Sequence, residues 1–333
     1  MTMPIPKTMH VATWLLALVL TPPVSAAEPA PDRLLAEGRA DAAIASLQNK
    51  LSGTPSDAQS HNLLCRAYLM AGNWDAGITA CQKAVALEPG NSQYHLWLGR
   101  IYGEKADRVN FLSAASLAGK VRAEFETAVR LDPKNMDARS DLADFYLEAP
   151  GIVGGGKDKA EAQAQQMAPL DPAGANLLRA KLAEKRDDFV EAEKQYRAAI
   201  QASGGKAGTW LSLAQFYRRR ERFDPMEDAI QHVVSAERGQ HVLLAAADFL
   251  VRIKRDLPEA ARLLRRYLAN GTVEEGPAFK AHYLLGTLLE KDGDKTAAAQ
   301  EYRAALSLVS SFSPARDALN RLERQSADST ASR

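Results

Sequence analysis

Between Ala58 and Asn91 the chain reads AQSHNLLCRAYLMAGNWDAGITACQKAVALEPGN, and 34-residue units of this kind recur almost to its end. Apolar or small residues fall at Leu64, Cys65 and Tyr68, and again at Gly77, Cys81 and Ala84. Each set has the spacing of one helix face; Gly72 interrupts, and Pro89 with Gly90 stops the second run. The unit is therefore a helix-turn-helix hairpin. Its small second-helix slot recurs as Ala43, Gly77, Val121, Ala160, Ala192, Met226, Ala260 and Ala298, at separations of 34, 44, 39, 32, 34, 34 and 38 residues. The bulky slot four residues later reads Leu47, Cys81, Phe125, Ala164, Tyr196, Ile230, Leu264 and Tyr302. One such hairpin cannot bury its apolar face alone, so the units must stack. The expected core grows by stacking rather than by closing on itself.

With closing prolines at Pro55, Pro89, Pro133 and Pro172, this pattern resembles the tetratricopeptide repeat (TPR) family over nearly all of the chain after residue 30. The resemblance implies an all-α fold, a right-handed superhelical solenoid of helix-turn-helix repeats. It also implies that the first helices line a concave groove that binds proteins or peptides.

The first 27 residues have Lys7 and His10 ahead of an apolar run from Val11 to Leu20, then Pro22, Pro23 and Ser25-Ala26-Ala27. A spanning helix needs roughly 20 apolar residues, so this shorter run reads as a cleavable signal peptide. The expected product is periplasmic or secreted, with no stable membrane span. Removing Lys7 with the leader leaves 42 − 1 = 41 basic against 41 acidic side chains. A neutral chain lacks the positive field that sequence-independent nucleic-acid binding requires, which excludes that class of partner.

The expected organisation is a signal peptide at 1–27, a shortened capping hairpin at 28–56, and a solenoid at 57–312. A capping helix at 313–325 and a disordered tail at 326–333 follow. Asp57, Asn91 and Asn135 each stand two residues after a closing proline, where they can cap a helix. Insertions fall near 103–119 and 150–157. The first should lengthen both helices of its hairpin by about 7 to 8 Å each, making it project. The second spells Gly151-x-x-x-x-Gly156-Lys157, the core of a phosphate-binding loop. A helix rather than a strand precedes it and Asp158 stands where a hydroxyl residue belongs, so it reads as an enlarged inter-helix turn.

Cys65 and Cys81 are the two cysteines, one on each helix of the same hairpin. An exported chain with an even cysteine count favours a disulfide. Against it, Gly77 is the residue expected opposite Cys65, which would put Cys81 a turn away and strain the roughly 7 Å Cα limit. Bonded cysteines and two buried thiols both stand as readings here. His61, His95 and His282 share one first-helix slot, which marks packing rather than metal ligation. With no Cys-x-x-Cys, no His-x-x-x-His within one helix and no Gly-x-Ser-x-Gly turn, neither catalytic, metal nor cofactor residues are assigned.

What the resemblance leaves is the groove, with Arg66, Met70, Trp97, Arg100, Asp144, Gln215, Arg218 and Tyr283 as candidate contacts. Arg66 and Arg100 hold the same slot in adjacent repeats and should form a basic ladder for a carboxylate or an acidic peptide. Pairing with neighbouring acids is the plainer alternative. The expected function is a non-catalytic protein- or peptide-binding scaffold of the cell envelope. The alternative is an envelope or secretion accessory that binds a cell-wall or glycan ligand through Trp97 and Tyr283.

Overall fold

The computed structural model describes residues 29–235 and 240–331. The leader expected at 1–27 lies outside them. The described residues form seventeen α-helices and one 3-10 turn, with no strand beyond a single bridge between Val273 and Gly276. The helices pair as hairpins: α1 (Pro31–Ala36) with α2 (Ala40–Gly53), α3 (Ala58–Met70) with α4 (Trp74–Leu87), and α5 (Ser92–Ala106) with α6 (Phe111–Leu131). Next come α7 (Met136–Glu148) with α8 (Lys157–Met167), α9 (Pro172–Glu184) with α10 (Phe189–Ala202), and α11 (Ala207–Arg219) with α12 (Phe223–Ser235). The last pairs are α13 (Gln240–Ile253) with α14 (Leu257–Ala269) and α15 (Ala278–Lys291) with α16 (Lys295–Leu308), closed by α17 (Ser313–Ala331).

Local chemistry sets these boundaries. The carboxylate of Asp57 and the side-chain carbonyls of Asn91 and Asn135 accept from the amides of Ser60, Gln93 and Ala138, capping α3, α5 and α7 as expected. Most of the turns inside a hairpin use a left-handed residue, the α5–α6 turn being an exception. Glycine supplies it at Gly38, Gly72 and Gly293, whereas Asp187, Glu221 and Lys254 adopt φ of 58°, 56° and 55° without that freedom.

Stacking is stitched at a fixed interval. The hydroxyls of Tyr68, Tyr102, Tyr146 and Tyr217 each bond a polar side chain twenty residues earlier, on the second helix of the preceding hairpin: Gln48, Gln82, Glu126 and Arg197. A second recurring clasp explains the histidine slot. His61 and His95 bond the carbonyls of Pro55 and Pro89 at 3.0 Å, and Arg139, at the same slot, donates to that of Pro133 at 2.8 Å. These residues fasten a helix start to the proline that ended the helix before it.

Small first-helix residues let the paired helices approach. A Cβ added to Gly99 would lie 2.4 Å from the Phe125 ring, and one on Gly286 would lie 2.6 Å from that of Tyr302. Cys65 and Cys81 occupy these two slots in their own hairpin. They face each other, with Cα atoms 5.2 Å apart, and are bonded. Cys65 thus opposes the bulky slot of the second helix as well as approaching Gly77, and the distance objection does not hold.

The insertions differ from expectation in detail. α6 takes most of the first one: it has 21 residues where α4 has 14, while α5 has 15 where α3 has 13. The seven added residues (21 − 14) extend α6 by about 10 Å, and Phe111 and Leu112 at its tip are 78% and 80% exposed. At the C-terminus α17 continues past Gln325 to Ala331, so the tail expected to be disordered is helical up to that residue. Its sequence SADSTA carries no Gly or Pro to stop a helix. Ala315, Ala318 and Leu322 of α17 are buried against the last repeat.

The larger departure is closure. Leu34, Leu35, Ala43 and Leu47 pack into the core of the first repeats, but Ala40 belongs to a cluster with Phe279, Tyr302 and Val309 of the last one. Asp41 accepts from the Ser310 amide at 2.7 Å, and Ser311 donates to the Ala71 carbonyl at 2.8 Å. A Cβ on Gly38 would meet the Ala278 nitrogen at 2.8 Å, so this glycine serves both its turn and the seam. The ends of the array touch, so the core that was expected to grow by stacking alone also closes on itself.

Candidate functional site

The inner row consists of the first helices α3, α5, α7, α9, α11, α13 and α15, each in contact with the next. Arg66, Arg100, Asp144 and Gln215 hold one slot along this row, and Lys181, which sequence reasoning passed over, shares it. Their charges are paired in sequence. Arg100 donates through Nε to Asp141 at 2.6 Å, Lys181 to Asp144 at 2.7 Å, Lys185 to Glu148 at 2.7 Å, and Arg219 to Glu184 at 2.7 and 2.9 Å. Burial pushes the Asp141 carboxyl up from the usual range, and Arg100 opposes that shift.

Arg66 is the exception, because its partner does not come from an adjacent helix. Its Nε donates to Glu274 Oε1 at 2.9 Å and its Nη2 to Oε2, a two-point fork on a carboxylate 208 residues away. Both side chains are largely shielded, at 24% and 14% exposure. The Cζ atoms of Arg66 and of Arg100 each lie 4.8 Å from the Trp97 ring centroid, an arrangement that adds cation–π attraction to the ion pairs. Arg66, Trp97 and Arg100 therefore form one cluster. Asn62, one turn before Arg66 on the same face, is buried with no acceptor for its Nδ2.

The remaining candidates are dispersed. Met70 packs at the seam against the cluster of the last repeat, and Tyr283 contacts Phe312 and Tyr302 at centroid distances of 5.4 and 5.9 Å. Both are wall rather than open groove. Gln215 is half-buried and Arg218 exposed on α11, apart from the arginine cluster. The run from Arg218 to Arg222 is mostly engaged: Arg219 with Glu184, Arg222 with Glu193 at 2.5 Å, and Arg220 over the Phe189 ring at 3.6 Å. Near these groups opens a cavity of about 450 Å³, whose lining includes Phe189, Val190, Glu193, Arg197, Arg220 and Arg222.

The Gly151–Lys157 loop is a buttress. Gly154 lies close enough to Arg122 that a Cβ would collide with its guanidinium, and Lys157 donates to the Lys185 carbonyl at 2.6 Å. His95 bonds Glu124 at 2.6 Å as well as the Pro89 carbonyl, and the carboxylate raises its pKa. Among the described residues no group of three or more His, Cys, Asp or Glu is placed to hold a metal ion, and no helix is long and apolar enough to cross a membrane.

Glu274 is the residue that the sequence reading missed. Its signal was the 38-residue separation before the last unit, four more than the 34-residue period.

Two tetratricopeptide-repeat family models match the chain, over residues 34–102 and 254–317. No curated protein matches it. Among solved structures it is similar to yeast Tom70, at 15% identity and a TM-score of 0.55, over 93% of this chain and 67% of that one. It is also similar to a thermophilic TPR protein of Thermus thermophilus, at 21% identity and a TM-score of 0.47, over 56% of this chain and 97% of that one. A TPR protein from Parabacteroides merdae shares 13% identity and a TM-score of 0.44, over 86% and 93%. The chain carries tetratricopeptide repeats, and its fold is their right-handed superhelical solenoid.

Proposed function

We propose that this chain is a non-catalytic scaffold of the cell envelope that holds a protein or peptide partner on the inner row of its first helices. One observation carries the reading: a tight turn closed by the Val273–Gly276 bridge already presents a carboxylate to that row, its Glu274 gripped by Arg66 beside Trp97. The export part rests on the leader pattern at 1–27 and on the Cys65–Cys81 bond, a linkage kept in oxidising compartments.

A glycan reading asks for an open aromatic face. Trp97 already has two guanidinium groups over its ring, and Tyr283 is packed against Phe312. The contacts therefore favour peptide over sugar.

The test places a photo-crosslinking amino acid at Gln215 on the inner row, with exposed Lys83 on a second helix as control. The chain from Glu28 onward is irradiated in envelope extract. Protein adducts at Gln215 and none at Lys83 are expected. Adducts that persist after the extract is digested with protease would replace the peptide reading by the glycan one, and equal labelling at both positions would remove the groove.

A further inference from the structure

Building on the peptide-groove reading, we propose that the segment Asn270–Pro277 is a built-in occupant of the groove. The partner is then an acidic peptide whose carboxylate, like that of Glu274 in its tight turn, is presented to Arg66 in its place.

The connection between α14 and α15 is longer than joining two helices requires. It has 277 − 269 = 8 residues, whereas the connection from α4 to α5 has 91 − 87 = 4. The additional residues make an excursion with its own support. The Tyr267 hydroxyl accepts from the Val273 amide at 3.0 Å and donates to the Gly276 carbonyl, bracketing the tip on both sides. From that tip Thr272 donates to the Ala36 carbonyl at 2.9 Å, and Glu274 reaches Arg66.

Those contacts are the kind a bound peptide makes. One carboxylate is read by a planar fork, which distinguishes it from a neutral or cationic side chain. One hydroxyl meets a backbone carbonyl. Glu275, the next residue, is exposed and adds negative charge. The same contacts hold α1 and α3 to the last repeat, so removing Glu274 from Arg66 also loosens the seam.

A tethered occupant competes at an effective concentration on the order of millimolar. A partner with a single carboxylate would lose that contest. The fitting partner joins its carboxylate to further contacts along the row towards Arg100.

The probe is a fluorescein-labelled synthetic copy of residues 270–277, titrated by anisotropy against the chain from Glu28 onward. Glu274→Gln should bind it roughly tenfold or more tighter than the unaltered chain, because the competitor is gone. Glu275→Gln should match the unaltered chain. Adding Arg66→Met to Glu274→Gln should abolish binding, and a probe with Gln in place of its first Glu should not bind. On the unaltered chain, millimolar probe should speed amide exchange within 270–277, a readout that needs no variant to fold. No gain in affinity for Glu274→Gln, or no change in exchange, overturns the built-in occupant. Equal binding of the Gln probe overturns acidic recognition. Either failure alongside retained crosslinking at Gln215 leaves the groove reading standing and removes only this inference.

Discussion

Breaking the Cys65–Cys81 bond should loosen the first full repeat selectively. The bond closes a loop with a sequence separation of 16. Chain entropy over a loop of that size corresponds to about 3 kcal/mol, which is lost when the bond is reduced. In a solenoid each repeat leans only on its neighbours, so the loss should concentrate where the bond sits. The measurement is native-state amide exchange on α3 and α4, with and without reductant. About 3 kcal/mol corresponds to exchange faster by roughly two orders of magnitude, with little change in α9 and α10. Cys65→Gly with Cys81→Phe provides the control, since it copies the Gly99–Phe125 contact. That variant should ignore reductant while keeping part of the protection. Protection in α3 and α4 that changes less than about threefold on reduction would refute the loop-entropy reasoning. Loss spread evenly from α3 to α16 would refute nearest-neighbour stability and show that the closed seam makes the array one cooperative unit.

Glu221→Gly should raise stability, because the left-handed conformation costs an ordinary residue about 1–2 kcal/mol and glycine's extra freedom when unfolded offsets only part of the gain; a lower urea midpoint would show that the side chain matters more than the backbone. Gly99→Ala should destabilise by about 1–3 kcal/mol through its clash with Phe125, and Phe125→Leu in the same chain should recover part of it, as read by thermal melts. The raised pKa of His95 means that its contribution is fully present below about pH 6.5 and is lost as pH rises through the folded-state value. His95→Gln should therefore narrow the stability gap between pH 6 and pH 8.5 seen in urea titrations. Asp57 acts in the opposite direction: Lys50 and the Ser60 amide hold it at about 2 against an ordinary 3.8, so its contribution is present above pH 4 and lost on acidifying towards pH 2. Asp57→Asn should flatten that acid limb.

Much of the fold was legible because the signals are local. The caps at Asp57, Asn91 and Asn135, the helix stop at Pro150 and the recurring histidine slot all depend on contacts within a few residues or one repeat period. The cysteine pair shows where reading by register goes astray. The sequence holds both slots, Gly99 with Phe125 and Gly286 with Tyr302, but which of two close second-helix residues Cys65 bonds depends on how the helices cross. At the site, that Arg66 and Arg100 share one slot of adjacent first helices was legible from spacing, but that both would lie over Trp97 was not. That Met70 and Tyr283 would be walled into a seam was not.

By itself the sequence determined the hairpin, its period, its caps and the row of first-helix side chains, since helix periodicity and capping act between residues a few positions apart. Only the tertiary structure decided that the ends meet, that Glu274 lies on Arg66 across 208 residues, and that the extra four residues before the last repeat form the turn that carries it there. The physical reason is accumulation. Each repeat turns slightly on the one before, and whether the last reaches the first depends on the sum of all those rotations. No residue pattern within one repeat encodes that sum.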